Sequence, residues 1–76
     1  MVKARGLPFS TTEYELAGFF EEYDVAERDV EIVYNQSGRS VGIAYVTFPS
    51  RSQAQQAIRE KDGKHIGHRY VELSMS

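Results

Sequence analysis

Seventy-six residues with nine Lys and Arg, eleven Asp and Glu and no Cys leave room for one domain. A chain this short buries about 60% of the surface its unfolded form exposes, so a two-layer fold around a single core is the limit. With no cysteine to staple it and no His/Cys pattern for a structural metal, that core must suffice, which fits a reducing, intracellular compartment.

No apolar run is long enough to span a membrane and no basic leader precedes an apolar stretch, so neither a membrane partner nor secretion is expected. The chain starts at one strand-like segment and stops just after another, as a single domain (1–76) cut from a longer multidomain protein would. The formal charge of −2 argues against a generic nucleic-acid binder, which is usually basic over the whole domain. Its distribution is more telling. Eight acidic residues from Glu13 to Glu31 have only Arg28 among them, while the other bases, Arg5, Arg39 and Arg69 included, fall outside. Two readings stay open: a solvated acidic helix with scattered bases, or two surfaces of opposite sign.

Val2-Lys3-Ala4-Arg5 alternates apolar and basic residues and is closed by Gly6-Leu7-Pro8, which predicts a short strand entering a turn, with Lys3 and Arg5 on one face. Thr12 and Glu15 fit a capping box. Leu16, Phe19, Phe20 and Tyr23 recur at i, i+3, i+4 and i+7, so a helix is expected from Thr12 to about Tyr23 with those rings in the core. Asp29 to Tyr34 alternates around Val30 and Ile32 as a second strand, and Asn35 to Ser40 is a turn-rich, exposed loop free to carry function.

Val41 to Phe48 reads as the central strand, with Ala44, Val46 and Phe48 on one face and Ile43, Tyr45 and Thr47 on the other. Pro49 stops it. Ser50 and Gln53 make a second capping box for a helix that turns Ala54, Ala57 and Ile58 inward and ends near Asp62-Gly63, with Gly63 as left-handed cap. Lys64 to His68 reads as a tight turn or small hairpin, and Val71, Leu73 and Met75 alternate as the last strand. The order βαββαβ predicts an α+β, ferredoxin-like split βαβ fold: a four-stranded antiparallel sheet with both helices on one face.

No nucleophile, base or metal constellation is present, so no catalysis, cofactor, metal or small-molecule substrate is expected. His65 and His68 lie three apart in a turn without a third ligand type at metal spacing. The candidates are groups the fold leaves outside its core. Tyr45, on the open face, either stacks a base or simply covers the sheet. Phe9 follows Leu7-Pro8 outside the helix's apolar stripe, either as a ring put to use or as a hydrophobic staple on the first helical turn. The predicted sheet sets the first strand between the third and fourth, which brings Arg5, Phe9 and Tyr70 to one end of its open face. Two rings and a guanidinium there form a cage for a flat, hydrogen-bonding base.

Gly42, Ala44, Tyr45, Val46 and Phe48 fit the octamer that marks RNA-recognition motifs, but Val41 and Ile43 do not. Ile43 stands where a base-stacking ring is usual, which weakens sheet-face stacking. Arg5-Gly6-Leu7-Pro8-Phe9, Phe19-Phe20, Gly42-Ile43-Ala44-Tyr45-Val46 and Ile66-Gly67-His68-Arg69-Tyr70-Val71-Glu72 resemble the quasi-RNA-recognition motifs of heterogeneous nuclear ribonucleoproteins of the F and H type, over nearly the whole chain. An ordinary RNA-recognition motif would show an aromatic at Lys3 and an Asn-Leu pair at Gly6-Leu7.

The resemblance implies single-stranded RNA, a run of guanines, held by loops rather than by the sheet through Arg5, Phe9 and Tyr70. Arg39 and Arg69 are candidates, with Arg5, for phosphate contacts. RNA processing or stability, a nuclear setting and other RNA-processing proteins as partners are the corresponding expectations. The alternative is a protein-interaction module on the same fold, with Phe9 and Tyr70 anchoring a peptide and the acidic helix meeting a basic segment. Known peptide-binding variants of the fold carry an Arg-any-Phe signature near the final strand, and Arg69-Tyr70-Val71 lacks the Phe.

Overall fold

Two hydroxyls decide where the helices begin in the computed structural model, which describes residues 1–76. The Thr12 hydroxyl accepts the Glu15 amide and the Glu15 carboxylate accepts the Thr12 amide, so the capping box is complete and helix α1 runs Glu13–Phe19. Ser50 accepts the Gln53 amide and starts helix α2, Arg51–Lys61. Gln53 takes the Ser50 hydroxyl rather than the Ser50 amide, so the second box is only half formed.

Helix α1 stops short of the expected Tyr23. After Phe20 the chain tightens into a 3₁₀ turn, Glu21–Tyr23, and Asp24 takes a left-handed conformation at φ 58°. Three residues per turn keep Tyr23 on the face of Phe20, so the ring stays in the core although the α-helix has ended. Phe19 is only half-buried, and the Lys61 ammonium stands 5.5 Å from the centre of its ring.

The strands are β1 (Val2–Arg5), β2 (Val30–Tyr34), β3 (Ser40–Val46), β4 (His65–Ile66), β5 (Arg69–Tyr70) and β6 (Glu72–Met75). β2, β3, β1 and β6 form one antiparallel sheet in that order, and β4 with β5 forms a separate hairpin. Two boundaries differ from the alternation alone. β3 ends at Val46 because the Thr47 amide goes to the Asp29 carbonyl at 2.9 Å, and Phe48 drops edge-on against Phe20 at 5.2 Å and Tyr23 at 5.9 Å. Tyr70 does not open the last sheet strand. It pairs with His65 in the hairpin, and β6 begins two residues later.

Val2, Ala4, Leu16, Phe20, Ala44, Val46, Ala57 and Val71 are wholly buried between sheet and helices. Each large side chain among them contributes about 1.5–3 kcal/mol of burial. The core closes at Leu73. Met75, expected inside, is 40% exposed, because β6 is an edge strand and its far end borders an open cleft beside Phe48 and Ala54.

Candidate nucleic-acid interface

Since β3 and β6 run antiparallel to β1, and β2 antiparallel to β3, the C-terminal ends of β1 and β2 meet the N-terminal ends of β3 and β6. Strand direction alone therefore gathers the β1–α1 loop, the β2–β3 loop and the approach to β6 at one end of the sheet. Arg5, Phe9, Arg39, Arg69 and Tyr70 all lie on or beside those connections.

On the β6 side of the β1–α1 loop, an Arg5 guanidinium nitrogen lies 3.0 Å from the Glu72 carboxylate, its cross-strand partner, with the side chains 54% and 70% exposed. Arg69 Nε donates to the Gly6 carbonyl at 2.9 Å. Gly6 has φ +79°, and a Cβ there would stand 2.9 Å from the Tyr70 carbonyl oxygen, so only glycine lets the two backbones approach. The exposed Tyr70 ring lies 4.2 Å from the His65 ring, tilted by 47°. Their register comes from the two-residue turn Gly67-His68, whose first residue has positive φ.

On the β3 side, Phe9 is 74% exposed and packs against no other ring, so it is not a staple. The loop that carries it is nevertheless tied down at Leu7. Leu7 is buried, and its amide donates to the Gly42 carbonyl at 3.1 Å. Gly42 has φ +81°, and a Cβ there would lie 3.0 Å from the Leu7 oxygen and 3.5 Å from Phe9 Cε1. Phe9 shares a cleft of about 710 Å³ with Tyr34, Asn35, Arg39 and Val41. The Asn35 side-chain oxygen accepts the Ser37 and Arg39 amides at 2.9 and 3.0 Å, which shapes the loop, and Arg39 forms no ion pair. Partial desolvation and a hydrogen bond to Glu13 hold the Tyr34 pKa above the usual tyrosine value, so its hydroxyl stays a neutral donor.

The sequence-derived candidates thus divide: Arg5, Arg69 and Tyr70 cluster on one side of the β1–α1 loop, and Phe9 with Arg39 on the other. Tyr45 belongs to neither cluster. It is half-buried on the open sheet face, opposite Lys3 and Glu31. Lys3 and Arg5 on that face are offset by Glu31 and Glu72, so the sheet offers one tyrosine ring and no net positive charge. Sequence reasoning weighed His65 only against a metal-binding role and gave Glu72 and Tyr34 no place in the site. Counting back from a Gly67-His68 turn pairs His65 with Tyr70, but the Glu72 ion pair and the Tyr34 cleft follow only from strand pairing. No group of three or more His, Cys, Asp or Glu is placed to hold a metal.

A model described as an RRM domain matches residues 2–76. The chain belongs to the RNA-recognition-motif family. Within it, similarity to the Glorund qRRM2 domain and to heterogeneous nuclear ribonucleoproteins of the H type makes the chain a quasi-RNA-recognition motif. Heterogeneous nuclear ribonucleoprotein H of Rattus norvegicus is 37% identical to it over 75 residues, covering 99% of this chain and 16% of the relative. Heterogeneous nuclear ribonucleoprotein H2 of Homo sapiens is 36% identical with the same coverage. Among solved structures, the Glorund qRRM2 domain superposes with a TM-score of 0.84 at 35% identity, over 99% of this chain and 85% of that one. G-rich RNA sequence binding factor 1 from Homo sapiens gives 0.85 at 31% identity, over 96% and 75%. This quasi-RNA-recognition motif spans about a sixth (16%) of the length of the curated ribonucleoprotein relatives.

Proposed function

We propose that this quasi-RNA-recognition motif binds guanine-tract single-stranded RNA through the loops at one end of its sheet, as one RNA-binding domain of a longer protein acting in nuclear RNA processing. The observation that carries the reading is Phe9, a ring 74% exposed on a loop whose backbone is fixed by buried Leu7 and by Gly42. A large apolar ring held in water by a rigid loop is a stacking platform already ordered for its ligand. Arg39 across the cleft, and Arg5, Arg69 and Tyr70 on the other side of the loop, supply guanidinium planes and a second ring. The open sheet face offers little competition, having no net positive charge. G-rich RNA sequence binding factor 1, a structural relative, is named for the same class of ligand.

Stacking at about 1–3 kcal/mol per base allows a few guanines held at these loops to reach micromolar-range affinity without a basic surface. Useful specificity then comes from neighbouring domains acting together. The test is an amide NMR titration with a short guanine-tract RNA and, in parallel, a pyrimidine-rich RNA of equal length. Saturable shifts at Arg5 to Phe9, Arg39 and Tyr70 with the guanine RNA alone are the expected result. Shifts centred on Lys3, Ile43 and Tyr45 would replace the loop mode with a sheet-face mode, and silence with both RNAs would remove the RNA reading.

A further inference from the structure

Helix α1 carries a surface that the RNA-facing loops do not use. Tyr14, Gly18 and Glu21 recur at i, i+4 and i+7 along the helix and the turn that continues it. Together with Val25 and Glu27 they line a shallow groove of about 460 Å³. Tyr14 is 73% exposed. Glu15 is held in its capping box and Glu22 is paired with Lys61 at 3.2 Å, whereas Glu21 and Glu27 pair with no cation, and no Lys or Arg lines the groove.

Gly18 is an independent observation. Glycine inside a helix weakens it relative to alanine, and here the fold does not require one. Its φ is not positive, and a Cβ at this position meets nothing within 4 Å. The glycine instead leaves bare helix backbone between an exposed ring and two unpaired carboxylates, which is what close passage of a second polypeptide needs.

We propose that this groove docks an arginine-rich segment of a partner protein. A guanidinium stacks on the Tyr14 ring, as arginine does on exposed aromatics. Others fork onto the Glu21 and Glu27 carboxylates, and the partner backbone passes over Gly18. RNA phosphates are repelled by the same carboxylates, so the groove takes protein while the loops remain open.

The probe is a short peptide of alternating Arg and Gly, titrated into the full 76-residue chain and followed by amide NMR, with a Lys-Gly peptide as control. Saturable shifts at Tyr14, Gly18, Glu21 and Glu27, with the arginine peptide the tighter binder, are expected. Gly18→Leu fills the groove and abolishes saturation while its melting temperature is equal to or above that of the parent. The double variant Glu21→Gln/Glu27→Gln weakens binding by about tenfold or more through lost charged hydrogen bonds. Equal binding of the two peptides, indifference to Gly18→Leu, absence of saturable shifts, or guanine RNA moving the same amides would each overturn the proposal. So would concentration-dependent shifts of the groove without peptide, which would assign it to a second copy of the chain.

Discussion

Phe9 is carried by a loop whose Leu7 is tied to Gly42, whereas the Arg5 side chain is held by an ion pair, and that difference decides how each responds to substitution. Phe9 is 74% exposed, so truncating it removes a platform without opening a cavity. Phe9→Ala is expected to weaken guanine-tract binding about 5- to 150-fold, the equivalent of one lost stacking contact. Its unfolding free energy should stay within about 0.5 kcal/mol of the parent, measured by a circular-dichroism melt beside the binding isotherm. Arg5 presents the opposite case, because Glu72 already occupies its guanidinium at 3.0 Å. The pair is well exposed and is worth little to stability. Glu72→Gln frees the guanidinium and removes a charge that repels phosphate, so affinity should rise by up to about fivefold, the scale of one surface ion pair. Unchanged or weaker binding would remove Arg5 from the proposed contact set.

The element that holds the site together is the β1–α1 loop, wedged between β3 on one side and the hairpin on the other. Two glycines make the wedge possible. At Gly42 a Cβ would meet the Leu7 carbonyl at 3.0 Å, and at Gly6 one would meet the Tyr70 carbonyl at 2.9 Å, both at positive φ. Neither contact is with a flexible side-chain tip, so the backbone itself would have to give. Gly42→Ala is accordingly expected to destabilise the domain by about 1–3 kcal/mol, from left-handed strain plus the displaced loop. Chemical denaturation would measure it, and an unchanged midpoint would show that the loop gives way freely. The same substitution should broaden or shift the Phe9 amide, since Phe9 Cε1 lies 3.5 Å from the added methyl.

At the scale of the whole molecule, helix α2 is tied to the 3₁₀ turn that follows α1 by Tyr23, whose hydroxyl donates to Glu60, and by Lys61, which pairs with Glu22 at 3.2 Å. The hydrogen bond to Glu60, and after it burial, push the Tyr23 pKa up to about 12. The same hydrogen bond, and after it one from Gln56, holds the Glu60 carboxyl below its ordinary value. A raised tyrosine pKa stabilises fully below about pH 10, the unfolded value, and that contribution is lost as pH rises toward 12. A depressed carboxyl pKa acts from the other side, stabilising above its unfolded value and failing as pH falls through the folded one. Tyr23→Phe should therefore lower the melting temperature by roughly 2–8 °C at neutral pH. The gap should narrow above pH 10 and again in acid. A gap constant across that range would show that the hydroxyl does not carry it.

The number of phosphates met by cations, not the net charge, sets the salt response. With three arginines at the loop end, about two or three phosphates are neutralised, which predicts a log–log salt slope for RNA of about −1.4 to −2.1. A slope steeper than about −4 would mean that charge, not stacking, dominates.

Local chemistry made much of this chain legible without a structure. Caps, alternation and Pro/Gly punctuation are properties of neighbouring residues, so the βαββαβ order, the complete capping box at Thr12 and most of the core could be read directly. Strand order followed from the same pattern, and with it the gathering of Arg5, Phe9 and Tyr70 at one end. Tertiary packing decided the rest. Helix α1 yields to a 3₁₀ turn because Phe20 and Tyr23 must meet Phe48, and Met75 is exposed because β6, paired with β1 on one side, has no strand on the other. Glu72 captures Arg5, and Phe9 turns toward Arg39 rather than Tyr70, because cross-strand register and the close approach at Gly6 and Gly42 join residues distant in the chain. Periodicity reports which face a side chain occupies. Which group stands opposite it depends on how far one strand slides against another, and only the folded sheet fixes that.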